Sequence, residues 1–380
     1  MTARLKVLSR KEFKVINRIE LNSANLLHNV DTISKQTGLD VIPVLKANAY
    51  GHGLKEVVSI LNGSSVKLIA VDSYKEALIV KRETRSSILV MGAIIPDNFS
   101  RMEFSRTSLV VSRVEDIELL AKLKKKVSIH IEIDTGMARQ GTNLSRLSLL
   151  LDLISKHKNI IVDGVMSHLA DADNPTDDSF TMVQTEKFDQ AVQLVMSKGF
   201  RPKWIHLAQS AGLTRTKSKF ANTVRPGIVL FGINPLAVSD PSFTKLNKTR
   251  PVMSIWSEIV AVNNIEKGQS VGYSRSYIAK SSKRIGVIPF GYYEGLPREL
   301  SNKCVLLSAY KSPLPQVGNI CMNHTMLDIT DTDLAVGDKV NIISNDRSDI
   351  NSIQSLCSKF SPFSYELLVD IAEITRRVIV

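Results

Sequence analysis

The chain divides into two parts by the pattern of its apolar and polar positions. In the first part, short apolar runs typical of buried strands alternate with stretches in which apolar residues recur every three or four positions, as on one face of a helix. The spacing predicts strands at residues 41–46, 67–71, 87–91, 108–111, 127–134, 160–168, 204–209 and 224–231. It predicts helices at residues 21–36, 54–61, 74–83, 114–124, 144–157 and 185–198.

Eight strands separated by helices or loops predict a parallel sheet, and eight such units indicate a closed (β/α)8 barrel. A doubly wound open sheet is the alternative. No Gly-x-Gly-x-x-Gly follows the first predicted strand, which weakens a dinucleotide-binding version of that alternative. We therefore expect an α/β barrel domain over residues 15–248.

The pattern changes near residue 250. Short strand patterns at residues 252–262, 283–290, 304–310, 315–318, 324–330 and 339–344 are separated by turns rich in Gly, Pro, Asn and Asp, and a clear helical pattern returns only at residues 350–359. This indicates a second, mainly β domain at residues 249–380, and we expect residues 1–14 to return to it. The expected fold class is therefore α/β plus all-β, with an N-terminal barrel and a C-terminal β domain.

Composition narrows the kinds of partner. The 380 residues carry a formal net charge of +12, which would suit nucleic acid or an anionic surface. The densest basic run, residues 122–126, ends a predicted helix without interleaved aromatic residues, so we expect no nucleic-acid binding. We expect no membrane association, because no apolar run is long enough to span a bilayer and the start of the chain lacks an apolar signal core. Three cysteines without metal spacing predict a cytoplasmic protein with no metal site.

One lysine stands at the end of the first predicted strand. The segment at residues 41–53, VIPVLKANAYGHG, is apolar up to Leu45 and then presents Lys46 and a series of small, turn-forming residues. A lysine at the end of a buried strand is costly unless it is neutralised, paired or used covalently, and a Schiff base to an aldehyde cofactor would meet that requirement. Tyr50 could then reach an anionic group. The alternative is that Lys46 extends to solvent and Tyr50 packs in a core.

Further polar or turn-forming residues fall at the ends of later strands, where (β/α)8 enzymes place their chemistry. A lone histidine is more often a core residue than a catalytic one, but its membership of such a group favours a functional role. The candidates are Asp134, Arg139, His168, Ser210, Arg225, Gly227 and Ile228.

These segments resemble the motifs of the alanine racemase family, in the same order over nearly the whole chain. Residues 41–53 resemble the pyridoxal phosphate (PLP) motif VVKANAYGHG, IDTGMARQG resembles KVDTGMGRLG, HLAQSAG resembles HCANSAA, and VRPGI resembles VRFGI. Beyond residue 250, VGYSRSYIA, PFGYYEGLPRELSN and GNICMNHTMLDIT are similar to three further motifs of the family. The resemblance implies a PLP-binding barrel, a head-to-tail homodimer with shared active sites, and racemisation of L- and D-alanine that supplies D-alanine for peptidoglycan.

The resemblance also implies roles for individual residues. Lys46 is implied as the base for the D-isomer, and Tyr273, from the partner subunit, as the base for the L-isomer. Arg225 is implied to face the pyridine nitrogen, and His168 and Arg225 are implied to be the electrostatic helpers that lower the pKa of Tyr273. The implied PLP-binding residues are Lys46, Tyr50, His168, Ser210, Arg225, Gly227 and Ile228, and the implied substrate-binding residues are Arg139, Met322 and Tyr292.

Two positions depart from the family pattern. Glu132 replaces a lysine that is carbamylated in some members, and we expect its carboxylate to pair with Arg139 in place of the carbamate. Asn323 replaces the aspartate of a CMD motif, so a charge is lost beside Met322 and substrate preference could shift. A racemase of broader scope or for serine is therefore one alternative. A non-catalytic PLP-binding protein is another, although it would have no use for a second base.

Overall fold

The computed structural model describes residues 14–360 and 364–380. The chain forms two compact units, one over Asn22–Val252 and the other over Met253–Val380 together with the segment that ends at Leu21. Residues 1–13, which carry most of the predicted return of the chain start, lie outside the described residues. The first described strand, β1 (Arg18–Leu21), belongs to the C-terminal unit.

Strands and helices alternate through the N-terminal unit. Its strands are β2 (Asp40–Val41), β3 (Leu68–Val71), β4 (Ser87–Val90), β5 (Thr107–Val111), β6 (Val127–Glu132), β7 (Ile160–Met166), β8 (Trp204–His206) and β9 (Thr223–Val224). Its helices are α1 (Ser23–Thr37), α2 (Lys46–Tyr50), α3 (Leu54–Leu61), α4 (Tyr74–Glu83), α5 (Val114–Ala121), α6 (Leu144–Ser155), α7 (Ser179–Ser197) and α8 (Phe243–Leu246). Short 3-10 turns occur at Pro96–Arg101, Ala211–Thr214 and Ile228–Phe231.

The eight strands form one parallel sheet in the order β2-β9-β8-β7-β6-β5-β4-β3. The two end strands are joined by a parallel bridge between Val44 and Ala70, in which Leu45 N donates to Ala70 O at 2.8 Å and Ala70 N donates to Pro43 O at 2.9 Å. The sheet therefore closes on itself, and the predicted (β/α)8 barrel is confirmed. Because all strands are parallel, the residues that follow them meet at one rim.

Two predicted strands are shorter than the apolar pattern suggested. The strand predicted at 41–46 ends at Val41, apart from the bridge at Val44, and the strand predicted at 224–231 ends at Val224 and gives way to the 3-10 turn. Each run contains a proline, Pro43 or Pro226, which has no N–H to donate to a ladder. The apolar residues beyond the prolines are buried in turns rather than in strands.

The C-terminal unit is mainly β, as predicted, and most of its strands pair antiparallel. Its further strands are β10 (Met253–Glu258), β11 (Ala261–Ile265), β12 (Ser270–Val271), β13 (Tyr277–Ile278), β14 (Lys283–Ile288), β15 (Val305–Ser308), β16 (Pro313–Pro315), β17 (Thr325–Asp328), β18 (Lys339–Ile343) and β19 (Arg376–Ile379). Two helices, α9 (Ile353–Phe360) and α10 (Ser364–Val369), and two 3-10 turns, Tyr273–Arg275 and Arg298–Leu300, complete it.

These strands form three sheets. The largest has the order β16-β15-β18-β10-β1-β19, a second has the order β11-β14-β17, and β12 pairs with β13. The single strand predicted at 252–262 is therefore two strands, β10 and β11, that belong to different sheets. Among the described residues, no helix has the length and apolarity needed to cross a membrane.

Candidate active site

The turn after the first barrel strand has an unusual conformation. Four consecutive residues, Ala47 to Tyr50, have φ between 52° and 54°, so the single turn of α2 is wound left-handed directly after Lys46. For residues other than glycine this conformation costs about 1–2 kcal/mol each. Such strain persists only where the surroundings impose it, and it concentrates at functional sites.

Side-chain hydrogen bonds of Glu76, from outside the turn, and of Asn48, from within it, hold the turn in place. Glu76 of α4 accepts a hydrogen bond from Ala47 N at 2.8 Å through Oε1, while its Oε2 accepts from Asp72 N at 3.0 Å and Ser73 N at 2.9 Å. Asn48 Oδ1 accepts from Leu54 N at 2.8 Å. The carboxylate that caps α4 therefore also fixes the peptide that follows Lys46.

Tyr50, Ser210 and Gly227 meet at the rim. Burial raises the pKa of the Tyr50 phenol to about 12, so the group is a neutral hydrogen-bond donor. A Cβ at Gly227 would overlap the Tyr50 hydroxyl, and Gly227 N donates to Ser210 Oγ at 2.9 Å. Ile228 follows as the first residue of the 3-10 turn. The predicted phosphate-binding residues are thus brought together.

Arg225 is buried directly after β9. Its Nη1 donates to His206 O and contacts His206 Nδ1, both at 2.7 Å, and its Nη2 donates to Ser167 O at 2.6 Å and lies 3.5 Å from His168 Nδ1. Burial lowers the pKa of the guanidinium to about 10, while Glu132 opposes that shift. The group therefore remains charged at neutral pH.

Two buried histidines extend the contacts of Arg225. Because an arginine can only donate, the Nδ1 atom of His206 accepts a hydrogen bond from Arg225, and the proton of the His206 ring is on Nε2. His206 Nε2 then donates to His130 Nδ1 at 2.8 Å. The two histidines lie on β6 and β8, and Gly164 of the intervening β7 leaves the space that the His130 ring occupies. Burial, and then the charge of Arg225, lowers the pKa of both histidines.

His168 lies where several positive charges act together. Burial, followed by the charges of Arg225, Arg139 and Lys46, lowers its pKa to about 3. The backbone carbonyl of His168 accepts from Gln184 Nε2 at 3.1 Å, which fixes its position after β7. The structure thus groups Lys46, His168 and Arg225 around one rim.

The loop after β6 is shaped by Asp134. Its Oδ1 accepts hydrogen bonds from the amides of Gly136, Met137 and Ala138 at 2.9–3.1 Å, and Arg139 follows at the exposed end of the loop. Burial raises the pKa of Glu132, against the opposing charges of Arg225 and then Arg139. No ion pair within 4.0 Å joins Glu132 to Arg139 in the part of the chain that the structure describes, so their pairing remains a hypothesis.

The other predicted site residues lie in the C-terminal unit and are accessible in the single chain. Tyr273 is 70% exposed, Met322 is 55% exposed and Tyr292 is 40% exposed. Asn319 Nδ2 donates to Tyr273 O at 3.0 Å, and Tyr292 N donates to Cys321 O at 3.0 Å. The segment 319–323 therefore connects all three.

Comparison with known proteins decides the family. The model of the alanine racemase N-terminal domain matches residues 21–235, and that of the alanine racemase C-terminal domain matches residues 252–379. The chain belongs to the alanine racemase family. The resemblance drawn from the motifs is confirmed.

Relatives in the alanine racemase family match along almost their whole length. Alanine racemases of Geobacter sp. (strain M21) and Aquifex aeolicus (strain VF5) are 32% and 30% identical to the chain; each match covers 95% of it and 97% and 98% of the respective relative. The solved alanine racemase of Clostridium difficile 630 is 25% identical with a TM-score of 0.88, and the match covers 97% of both chains. The Bartonella henselae alanine racemase, solved with covalently bound pyridoxal phosphate, is 22% identical with a TM-score of 0.82 over 97% of this chain and 100% of its own.

Sequence reasoning with the alanine racemase motifs missed the residues behind the rim. Glu76, His130 and His206 were not predicted as part of the site. His206 lies within HLAQSAG and His130 within a predicted strand, so their positions were available. Their partnership was not, because it depends on which strands become neighbours.

Proposed function

We propose that this protein is a PLP-dependent alanine racemase that interconverts L- and D-alanine by a two-base mechanism. The observation that carries the proposal is geometric: Arg225 lies beside His168, and Tyr50, Ser210 and Gly227 are in contact, in a chain of the alanine racemase family. The rim thus offers an amine, a buried cation and a cluster of hydrogen-bond donors at one end of the barrel.

These residues fit PLP. The absence of a side chain at Gly227 lets the buried, neutral Tyr50 hydroxyl lie against its backbone, and the Ser210 hydroxyl and nearby amides add short donors that suit a phosphate. We assign the phosphate to Tyr50, Ser210 and the amides of Gly227 and Ile228, and the covalent attachment to Lys46 Nζ. When bound, PLP spreads the charge left at Cα and so makes the Cα proton acidic enough to transfer.

Inversion needs a base on each face of Cα. Lys46 Nζ, freed as an amine when the amino group of alanine replaces it on PLP, would take the proton from D-alanine, and the Tyr273 phenolate would take it from L-alanine. In each direction the other group, in its protonated form, would return a proton to the opposite face. A tyrosine pKa is normally about 10, so Tyr273 needs a nearby positive charge to act as a base. Arg225, through His168, is the group we assign to that task.

Arg225 also sets the reaction outcome. Its N–H groups are directed to carbonyls and His206, and a guanidinium stays charged at neutral pH. Facing the pyridine nitrogen, it would leave that nitrogen unprotonated. A moderated electron sink disfavours transamination and favours simple return of the proton.

The substrate carboxylate is assigned to Arg139 and to Met322 N, with Tyr292 lining the entrance and Glu132 supporting Arg139. Among the described residues, Met322 N has no hydrogen-bond acceptor, so its N–H is available to a ligand. Because Tyr273, Tyr292 and Met322 are exposed in one chain, we propose a homodimer in which they complete the partner's site. We further propose that the enzyme supplies D-alanine for peptidoglycan in the cytoplasm, where its three free thiols would stay reduced.

A racemisation assay tests the proposal. Purified protein with PLP is incubated with L-alanine, D-alanine or L-serine in D2O, and enantiomer formation and deuterium uptake at Cα are followed. We expect alanine to racemise in both directions, Lys46→Ala to abolish racemisation, and Tyr273→Phe to abolish it in both directions while PLP stays bound. No turnover of any amino acid by the PLP-loaded protein would refute the proposal.

Mixing the two inactive variants tests the shared site. Equal amounts of Lys46→Ala and Tyr273→Phe should regain about a quarter of wild-type activity, because half of the dimers are mixed and each mixed dimer has one intact site. Persistent inactivity after confirmed subunit exchange would exclude a site shared between subunits.

A further inference from the structure

We propose that Glu294 and Asn323 form a positioning pair that holds Tyr292 and the Met322 amide in register for the substrate. The inference rests on the proposed function, because it concerns the two substrate-binding residues of the C-terminal unit. Neither Glu294 nor Asn323 is assigned to contact substrate; each acts through its neighbours.

Glu294 is a buried carboxylate that joins two segments of the chain. It is 9% exposed, its Oε1 accepts from Asn323 Nδ2 at 2.7 Å, and its Oε2 accepts from Gly291 N at 2.7 Å. Hydrogen bonds to a charged group are stronger than those between neutral groups. One carboxylate thus ties residue 323 to the start of the turn that carries Tyr292.

The main chains of the two segments are also in direct contact. Tyr292 N donates to Cys321 O at 3.0 Å, and Tyr293 N donates to Met322 O at 2.9 Å. A Cβ at Gly291 would lie 2.5 Å from Met322 O, so only glycine allows this approach. Residues 291–294 and 321–323 therefore behave as one unit, and a shift at Glu294 or Asn323 would move Tyr292 and the Met322 amide together.

The chemistry of the pair gives the asparagine at residue 323 a defined partner. An aspartate there would place a second carboxylate oxygen against Glu294 Oε1, and two carboxylates at such a distance cannot both ionise without strong repulsion. Asparagine instead supplies the donor that Glu294 requires. Asn323 is therefore matched to Glu294 and is not a free group that contacts substrate.

Two single variants and their combination test the pair. In Asn323→Asp the donor becomes a second carboxylate, and in Glu294→Gln the single amide oxygen cannot accept from both Asn323 Nδ2 and Gly291 N. In the double variant, the amide oxygen introduced at position 294 can accept from Gly291 N while the amide nitrogen donates to the new carboxylate at position 323, so every group regains a partner. Asn263→Asp, the same change at an exposed position of β11, is the matched control.

The assay is alanine racemisation by the PLP-loaded protein. We expect each single variant to lower kcat/KM by about tenfold, mainly through KM, with the visible absorbance of lysine-bound PLP unchanged. The double variant should return to within about threefold of wild type, and the control should match wild type. If the two single variants prove unstable, the double variant alone tests the pair, and a double variant with a KM for alanine close to that of wild type supports it.

Each contrary outcome is distinct. Single variants with wild-type KM, or a double variant no better than the singles, would overturn the positioning role while leaving the racemase proposal intact. A wild-type protein that binds PLP but does not racemise alanine would instead refute the proposed function.

Discussion

Acidification should destabilise the barrel through its buried histidines, and His130 is the clearest case. Its folded pKa is about 3 because of burial and then the charge of Arg225, whereas a histidine in the unfolded chain has a pKa of about 6.5. A pKa depressed by folding means that the unfolded chain binds the proton first. The stabilisation is therefore complete above about pH 6.5 and is lost as the pH falls towards 3.

The magnitude follows from linkage. At pH 5 the unfolded imidazole is almost fully protonated and the folded one almost fully neutral, which costs about 2 kcal/mol of unfolding free energy for one histidine. His168, with a pKa of about 3, adds a similar amount, and His206, whose pKa is well below its ordinary value, acts in the same direction. His130 and His168 together account for about 4 kcal/mol, a large part of the whole stability of many domains.

The assay compares wild type with His130→Asn at pH 7.5 and pH 5.0 in urea, at equal protein and PLP concentrations. Asparagine keeps an acceptor for His206 Nε2–H but does not titrate. Between pH 7.5 and pH 5.0 the free energy of unfolding of the variant should fall by about 2 kcal/mol less than that of wild type. The comparison cancels groups common to both proteins, including Glu132, whose raised pKa acts in the opposite direction.

His324→Asn, at an exposed position of the C-terminal unit, is the matched control. Its free energy of unfolding should fall by the same amount as that of wild type between the two pH values. Equal losses in wild type and His130→Asn would refute the argument, because they would mean that His130 is either protonated in the folded protein or accessible to solvent.

Three further variants probe the rim. Gly227→Ala should weaken PLP binding by about tenfold or more in an absorbance titration, because its Cβ would overlap the Tyr50 hydroxyl. Glu76→Gln should weaken PLP binding severalfold and speed hydrogen exchange at the Ala47 amide. The reason is that Ala47 N and Asp72 N donate to different carboxylate oxygens of Glu76, whereas the glutamine side chain has a single oxygen. Glu132→Gln should raise the KM for alanine more than the Kd for PLP.

Each of these has a matched control or a contrary result. Gly63→Ala, where a new Cβ would meet its nearest atom at 3.4 Å, should leave PLP binding unchanged. Glu56→Gln in the first turn of α3 should not alter exchange at Ala47. Unchanged kinetics in Glu132→Gln would remove its role beside Arg139, and normal exchange in Glu76→Gln would mean that the turn after Lys46 holds itself.

The sequence by itself determined the architecture and the identity of the rim residues. Periodicity along the chain records which positions are buried, and burial in strand and helix repeats is enough to predict alternating units and a barrel. The motifs then placed Lys46, His168, Ser210 and Arg225 at strand ends, and the barrel brings strand ends together at one rim.

Tertiary structure decided what holds those residues. The left-handed turn after Lys46 is invisible to periodicity, because it depends on Glu76 reaching across from another helix. His130 and His206 are 76 positions apart and meet only because β6, β7 and β8 are consecutive in the sheet. Asn323 looked like a lost charge until its contact with Glu294, 29 positions away, was seen. Such pairs leave no local pattern, since hydrogen bonds between distant residues depend on how the chain closes in space.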